Sequence, residues 1–219
     1  MVVERVRSDR LGVQAVAQRG ADHGTVVVAE RQTAGKGRLG RSWFSSAGEG
    51  LYCSILLRSE YSRSLSDHLT WIPLISAMAT ARAIDQTTGL AVRLKWPNDV
   101  LLGERKVGGL LCESGGRASG PSHAVGHPGY VIVGIGLNVN IALETFPEDL
   151  RDVATSLAIA AGRPVDRIRL LTVLLNELEM TIDNLSTASD LDLVRSYTAV
   201  CATLGRRVKL ELAGNESLT

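Results

Sequence analysis

The sequence predicts an α/β fold in which helices and strands share one main domain. Two long segments, 66–86 and 166–185, are typical of helices, and the runs 25–29, 51–58 and 130–136 are strand-like. A chain of 219 residues of which 45% are hydrophobic is long enough to bury a core of its own. These observations together indicate a globular domain that contains both kinds of element.

The chain opens with a predicted helix and a predicted buried strand. Apolar residues recur at helical spacing over 11–18, and Gly20 follows as a C-terminal signal. The β-branched run 25–29 comes next. Residues 32–50 are rich in Gly, Ser and Arg without any period, so they predict a long connection, and loops of this length are usually functional.

The middle of the chain predicts one long helix and then three short strands. Ser66 is placed to cap the helix, Pro73 to kink it, and Gly89 lies just beyond its end. The three strands are predicted at 92–96, 100–102 and 106–113.

The last third predicts a loop, a strand and two helices. Residues 114–129 are too rich in Gly, Ser and Pro to pack, so they indicate a surface loop before the strand at 130. Asp166 begins a helix with an apolar stripe, and a further helix runs to about Cys201.

The C-terminal residues predict a second, incomplete unit. The alternation over 208–212 indicates one strand, and no partner strand is apparent after it. We therefore expect a catalytic domain over 1–204 and the start of a small, truncated β-domain over 205–219.

Charge and composition exclude several classes of function. Lysine and arginine number 24 against 23 acidic residues, so no global field attracts polyanions and we expect no nucleic-acid partner. Apolar runs are too short for a membrane span, and charges at the start interrupt any secretion signal. We expect a cytoplasmic protein. Its cysteines lie far apart, which favours reduced thiols over disulfides or a zinc site.

The segment GKGRLGR at 35–41 is the first candidate for chemistry. It satisfies the G-x-G-x-x-G pattern, but no helix-forming sequence follows Gly40, so a dinucleotide-binding loop is disfavoured. What remains is a glycine loop that carries Lys36, Arg38 and Arg41. Such a loop is suited to a small anionic ligand, and a solvated basic loop is the structural alternative.

Three further segments carry polar residues beside strands. KWPND at 95–99 presents a lysine and an indole and then a rigid turn. KVGGLLCE at 106–113 sets a lysine beside a pair of glycines, and GIGLNVN at 134–140 ends an apolar strand with glycines and asparagines. For each segment the alternative to a functional role is an ordinary turn, strand or bulge.

In this order and spacing the four segments resemble the biotin protein ligase family, whose hallmarks are GRGRxGR, KWPND and Kxx-G-(I/L)-xx-E. The similarity covers about residues 8–212. It implies a fold related to class II aminoacyl-tRNA synthetase and lipoate ligase catalytic domains, with a mixed sheet and packed helices, followed by an SH3-like β-barrel, here truncated. It also implies that biotin is activated with Mg²⁺ and ATP to biotinyl-5'-AMP and transferred to a lysine of a biotin carboxyl carrier domain.

The resemblance implies a role for each matching residue. Biotin would be contacted by Ser8, Gln32, Gly35, Lys36, Arg38, Lys106, Gly109 and Gly134. ATP would be contacted by Arg38, Arg41, Trp43, Lys106, Gly136 and Asn138. Arg38 and Lys106 would be catalytic, and Asp99 would orient or deprotonate the acceptor lysine. No metal ligands are assigned.

Two departures from the family pattern leave alternatives open. The family has Ser-Thr-Asn where this chain has SDR at 8–10, and Lys36 replaces an arginine, which removes a guanidinium fork. A ligase for lipoate or octanoate and a non-catalytic biotin-binding homologue therefore remain alternatives. We expect no helix-turn-helix ahead of the catalytic domain and therefore no DNA-binding repressor function, and a homodimer is left open.

Overall fold

In the computed structural model, residues 9–61, 63–116, 128–211 and 217–218 are described, and six of their strands form one sheet. The strands are β1 (Val26–Ala29), β2 (Gly50–Arg58), β3 (Arg93–Lys95), β4 (Asp99–Leu102), β5 (Arg105–Gly115) and β6 (Tyr130–Asn138). Their order across the sheet is β1-β2-β6-β5-β4-β3. The predicted elements are confirmed to within a few residues at each of these strands.

Every pair of neighbouring strands in this sheet is antiparallel. The expectation of a mixed sheet was therefore wrong. Strands β3, β4 and β5 follow one another through very short turns, and short turns join only antiparallel neighbours, because parallel neighbours need a long crossover. Parallel pairing is limited, in the described part, to the single bridges of Leu94 with Cys201 and of Lys106 with Ala154.

The helices pack mainly on one face of the sheet. They are α1 (Asp9–Gln18), α2 (Arg63–Asp67), α3 (Ile72–Thr88), α4 (Leu157–Ala161), α5 (Arg167–Asp183) and α6 (Asp190–Val200). Residues of α3, α5 and α6 share one buried cluster with Leu51, Cys53 and Ile55 of β2 and with Val133 of β6. None of the helices described here is long and apolar enough to cross a membrane.

The opposite face of the sheet is only partly covered. There α1 packs on Leu56 of β2 and on Tyr130 and Ile132 of β6. Because side chains alternate between faces, Gly134 and Gly136 of β6 lie on this same face beyond α1. The glycines leave this part of the sheet without large side chains of its own, which creates room for a cleft.

The long helix predicted at 66–86 is divided into three parts. Ser66 lies inside α2 instead of capping the helix, and a single 3₁₀ turn at Leu69–Trp71 precedes α3. Pro73 lies in the first turn of α3, where its missing N–H would have no helical partner, so it begins the helix and does not kink it. Gly89 ends the helix at a φ of 76°, as its position predicted.

At the C-terminus, the expectation of an unpaired strand was wrong. Strand β7 (Leu210–Glu211) pairs with β8 (Ser217–Leu218). A two-residue strand is too short for its alternation to be visible in a sequence. The predicted loop at 114–129 begins later than expected, since β5 runs to Gly115, and residues 117–127 lie outside the described residues.

The three cysteines carry reduced thiols and not disulfides, as predicted. Cys53 and Cys201 are buried, and burial raises the pKa of the Cys112 thiol to about 12, with a smaller contribution from the Glu113 carboxylate. Because the thiolate is the reactive species, we expect Ellman's reagent to label native Cys112 roughly a thousandfold more slowly than a free cysteine. Rapid labelling of the folded protein, at a rate matching that in guanidinium chloride, would contradict this burial.

Candidate active site

The glycine loop between β1 and β2 folds back on itself as a narrow arm. Gln32 N donates to Ser45 Oγ at 2.8 Å, and Trp43 N donates to Gly35 O at 2.9 Å. The tip is a single 3₁₀ turn at Arg38–Gly40, in which Leu39 has a φ of 56°. Because the segment doubles back at this turn, the cations of the motif lie together at the tip of the arm.

The arm covers a cavity of about 540 Å³ above the exposed part of the sheet. The residues predicted to form the site that line it are Gln32, Lys36, Arg38, Arg41, Trp43, Asp99, Lys106, Gly109, Gly134 and Gly136. Lys36, Arg38, Arg41 and Lys106 therefore share one cleft, as the sequence predicted, and Lys95 of KWPND lines it too. Cations gathered around one cavity create a site for an anionic ligand.

Lys106 and Asp99 form an ion pair inside this cleft. Lys106 Nζ lies 2.5 Å from Asp99 Oδ1, and the two side chains are 35% and 25% exposed. The ammonium also lies 5.4 Å from the centroid of the Trp43 ring, within reach of a cation–π interaction. The carboxylate thus holds the lysine at the cleft, and a ligand that binds Lys106 must compete with it.

A β-bulge brings Lys106 and Gly109 to the same face of the sheet. Residues three apart in a regular strand point to opposite faces, but the pairing of β4 with β5 shifts register between Val100 and Leu101. The extra residue in β5 reverses the alternation. Consequently a Cβ atom at position 109 would lie 3.3 Å from Lys106 Cε.

The indole of Trp43 lies on the glycine floor. A Cβ atom at Gly136 would be 2.9 Å from Trp43 Cε2, and one at Gly109 would be 3.3 Å from Trp43 Cζ3. The glycines leave a flat floor, and the ring that lies on it is the protein's own. Trp43 Nε1 is buried and has no hydrogen-bond partner among the residues described.

Trp43 separates the first cavity from a second, more apolar one of about 420 Å³. Its walls include Phe44, Phe146 and Leu150, together with Asn138 at the end of β6. Asn138 Nδ2 donates to Thr155 O at 3.0 Å, which fixes the orientation of the amide. Trp43, Asp99 and Lys106 line both cavities, so the two form one divided cleft.

Residues 201–209 form a wall that the sequence analysis missed. Ala202 N donates to Leu94 O at 2.7 Å, and Trp96 N donates to Thr203 Oγ1 at 2.9 Å. The Arg206 guanidinium bonds both carboxylate oxygens of Glu104 at 3.1 Å, which lowers the pKa of that carboxyl. Thr203 lines both cavities, and no motif in this segment could have indicated it.

One predicted site residue, Gly35, lies outside both cavities. A Cβ atom there would approach Gln32 Oε1 at 2.6 Å and Trp43 O at 2.8 Å. Its missing side chain therefore serves the packing of the arm, and its contact with biotin stays a prediction. Ser8 lies outside the described residues, whereas Asp9 and Arg10 of the SDR segment belong to α1.

The packing of Trp43 on Gly136 leads to a testable expectation. Gly136→Ala would put a methyl group 2.9 Å from the indole, and we expect overpacking of about 1–3 kcal/mol in the free energy of unfolding. Urea denaturation of this variant, of Trp43→Ala and of the double variant measures the coupling. If the cost of Gly136→Ala is the same with and without the indole, the two residues do not meet as described.

The sequence of this chain is similar to those of known proteins. A model of the Biotin/lipoate A/B protein ligase family matches residues 2–138. The biotin–[acetyl-CoA-carboxylase] ligase of Mycobacterium tuberculosis is 34% identical over 221 residues, which cover 99% of this chain and 76% of that protein. The bifunctional ligase/repressor BirA of Bacillus subtilis is 39% identical over 152 residues, 69% of this chain but only 44% of the relative.

Solved structures extend the similarity to the fold. The biotin protein ligase of Aquifex aeolicus, in complex with biotin and ATP, has 31% identity and a TM-score of 0.79, covering 99% of this chain and 84% of that one. The Leishmania major biotin protein ligase, in complex with biotinyl-5-AMP, has 25% identity and a TM-score of 0.77, covering 98% and 86%. The divided cleft thus lies in a ligase-type catalytic fold. The chain belongs to the Biotin/lipoate A/B protein ligase family, and it spans less than half the length of the bifunctional relative.

Proposed function

We propose that this chain activates biotin with ATP to form biotinyl-5'-AMP and then transfers biotin to a lysine of a biotin carboxyl carrier domain. The observation that carries this proposal is the convergence of Lys36, Arg38, Arg41 and Lys106 on one cavity beside a second, apolar one. The named activity of the Mycobacterium tuberculosis relative supports it, as do the ligands of the two related structures.

The division of the cleft fits the two parts of an acyl-adenylate. In our proposal the acid lies in the first cavity, with its rings towards Gly134, and adenine lies in the second cavity beside Asn138 and Trp43. The carboxylate and the α-phosphate then meet at Lys106, which lines both. The ligand would pass along the indole that separates the cavities.

The chemistry needs positive charge at the point where the acyl-phosphate forms. A carboxylate oxygen attacks the α-phosphorus, the bond to the bridging oxygen breaks, and pyrophosphate leaves with the electron pair. Negative charge spreads over phosphoryl oxygens during this step, and fixed cations stabilise it. Arg38 offers a guanidinium fork and Lys106 a point charge. Mg²⁺, which is bound largely through substrate phosphates, would enter with ATP.

In the second step an uncharged lysine amine attacks the acyl carbon, and AMP leaves with the bond electrons. The amine must lose a proton, and a carboxylate near the acyl group can accept it. We assign this role to Asp99. Once Lys106 contacts phosphate, its ion pair with Asp99 is weakened, and the carboxylate becomes able to orient or deprotonate the amine.

Finer features of the family are also proposed here. We propose that the catalytic domain is related to class II aminoacyl-tRNA synthetases and that residues 205–219 begin an SH3-like β-domain, for which the β7–β8 pair gives support. We further propose that the protein acts in the cytoplasm, where carboxylase carrier domains are its acceptors.

Pyrophosphate release with Mg-ATP and one acid at a time tests the proposal. We expect release with biotin and little with lipoate or octanoate, because the first cavity ends at the sheet. Release with lipoate or octanoate alone would make the chain a ligase for those acids. Calorimetric binding of biotin without any release would make it a non-catalytic binder.

A further inference from the structure

The two ends of the glycine loop are joined by one guanidinium. Glu30 follows β1 directly, and Gly50 is the first residue of β2, so these residues mark the base of the arm. Arg167 Nη1 donates to Glu30 Oε2 at 2.9 Å and to Gly50 O at 3.0 Å. A residue from α5, far away in sequence, therefore holds both ends of the segment that carries the cations.

Helix stability does not explain the placement of this arginine. Arg167 is the first residue of α5, where the helix dipole disfavours a cation, and Asp166 already caps the helix through the N–H groups of Ile168 and Arg169. The Arg167 and Glu30 side chains are 28% and 46% exposed, and exposed ion pairs contribute little to folding. The contact therefore acts on the loop more than on the stability of the domain.

Hydrogen bonds connect the base of the arm to its tip. Gly48 N donates to Glu30 O at 3.1 Å, and the bonds of Gln32 with Ser45 and of Trp43 with Gly35 lie next along the arm. Because the arm is a narrow ladder, rotation at its base displaces the cations and the indole at its far end. Displacements of about 1 Å can lower a reaction rate roughly a hundredfold.

We propose that Arg167 is a positioning residue that fixes the base of the glycine loop, so that Arg38, Arg41 and Trp43 are held over the cleft. Its effect on turnover rests on the proposed function, whereas its effect on the loop does not. Arg167 lines neither cavity, so it acts on the site through the arm.

Limited proteolysis tests the proposal without any ligand. Trypsin cleaves after Lys36, Arg38 and Arg41, which are all exposed at the tip. Cleavage at such sites reports local opening. We expect Arg167→Ala to be cleaved there roughly five to ten times faster than wild type, while its melting temperature changes by no more than about 2 °C. Arg169→Ala is the matched control, since Arg169 is exposed on the same helix turn and lines neither cavity.

Kinetics give a second readout. We expect Arg167→Ala to raise the KM for biotin and lower kcat for pyrophosphate release roughly tenfold or more, and Arg167→Lys to restore part of the loss because an ammonium can still reach one partner. Glu30→Gln should reproduce part of the effect and add little to Arg167→Ala, since the two side chains form one contact.

Several outcomes would overturn the proposal. Wild-type cleavage and turnover in Arg167→Ala would remove its role in the loop. A large fall in melting temperature with cleavage spread evenly over the chain would make Arg167 a stabilising residue. If wild-type protein shows no biotin-dependent turnover, the proposed function fails, and the proteolysis of Arg167→Ala still decides the role of Arg167.

Discussion

Arg38→Ala is expected to lower kcat/KM for biotin-dependent pyrophosphate release by roughly 30- to 1,000-fold, equal to about 2–4 kcal/mol of transition-state stabilisation. Arg38 lies at the tip of the glycine arm and lines the first cavity. Removal of its guanidinium takes away a preorganised donor at the point where phosphoryl charge develops. Steady-state kinetics with biotin and Mg-ATP measure the loss.

Two variants control for this effect. Arg38→Lys keeps the charge but lacks the fork, so an intermediate loss is expected. Arg169→Ala removes an exposed arginine that lines neither cavity and should leave the kinetics unchanged. Adenylation by Arg38→Ala within about twofold of wild type would remove Arg38 from the mechanism, since a donor at the transition state is worth far more.

Lys106→Ala is expected to lower kcat/KM for biotin-dependent pyrophosphate release by roughly a hundredfold or more. The substitution removes a cation that lines both cavities and leaves the partly buried Asp99 carboxylate without the partner shown at 2.5 Å. The carboxylate would then repel the approaching phosphate. Pyrophosphate release, measured beside binding of biotin by calorimetry, separates lost chemistry from lost affinity.

Asp99→Asn provides the contrast to Lys106→Ala. We expect Asp99→Asn to keep much of the pyrophosphate release and to lose most of the transfer to a carrier-domain lysine. The variant that combines Asp99→Asn with Lys106→Ala should lose less pyrophosphate release, expressed as free energy, than the sum of the two single losses, because the two residues interact directly. Equal loss of both half-reactions in Asp99→Asn would contradict a role for Asp99 in the second step.

The sequence was sufficient to predict most elements and the gathering of the cations. The stripe in α5, the strand runs and the glycine loop are local patterns, and local patterns report local structure. The resemblance carried by GKGRLGR, KWPND and KVGGLLCE also predicted that Lys36, Arg38, Arg41 and Lys106 converge, and these four residues line one cavity.

Features that depend on pairing between distant segments could not be predicted. The spacing of Lys106 and Gly109 places them on opposite faces of a regular strand, and only the bulge opposite Val100 and Leu101 brings them together. Likewise, the glycine floor gave no sign that Trp43 covers it. Both features arise from the register between strands and loops, which a single sequence specifies only weakly.

The antiparallel order of the sheet and the wall at 201–209 differ in origin. The short connections between the strands predicted at 92–96, 100–102 and 106–113 already favour antiparallel pairing, whereas the place of β6 between β2 and β5 depends on long-range pairing. The wall depends on the hydrogen bonds that Ala202 N donates to Leu94 O and that Thr203 Oγ1 accepts from Trp96 N. Neither residue type carries a local signal for such a contact, so the sequence analysis left this side of the cleft undescribed.

The divided cleft is expected to form an acyl-adenylate, and mass spectrometry of the protein after incubation with biotin and Mg-ATP detects this product. We expect biotinyl-5'-AMP to be recovered from the quenched sample and to be strongly reduced in Arg38→Ala. Recovery of unchanged biotin and ATP from folded wild-type protein would contradict it.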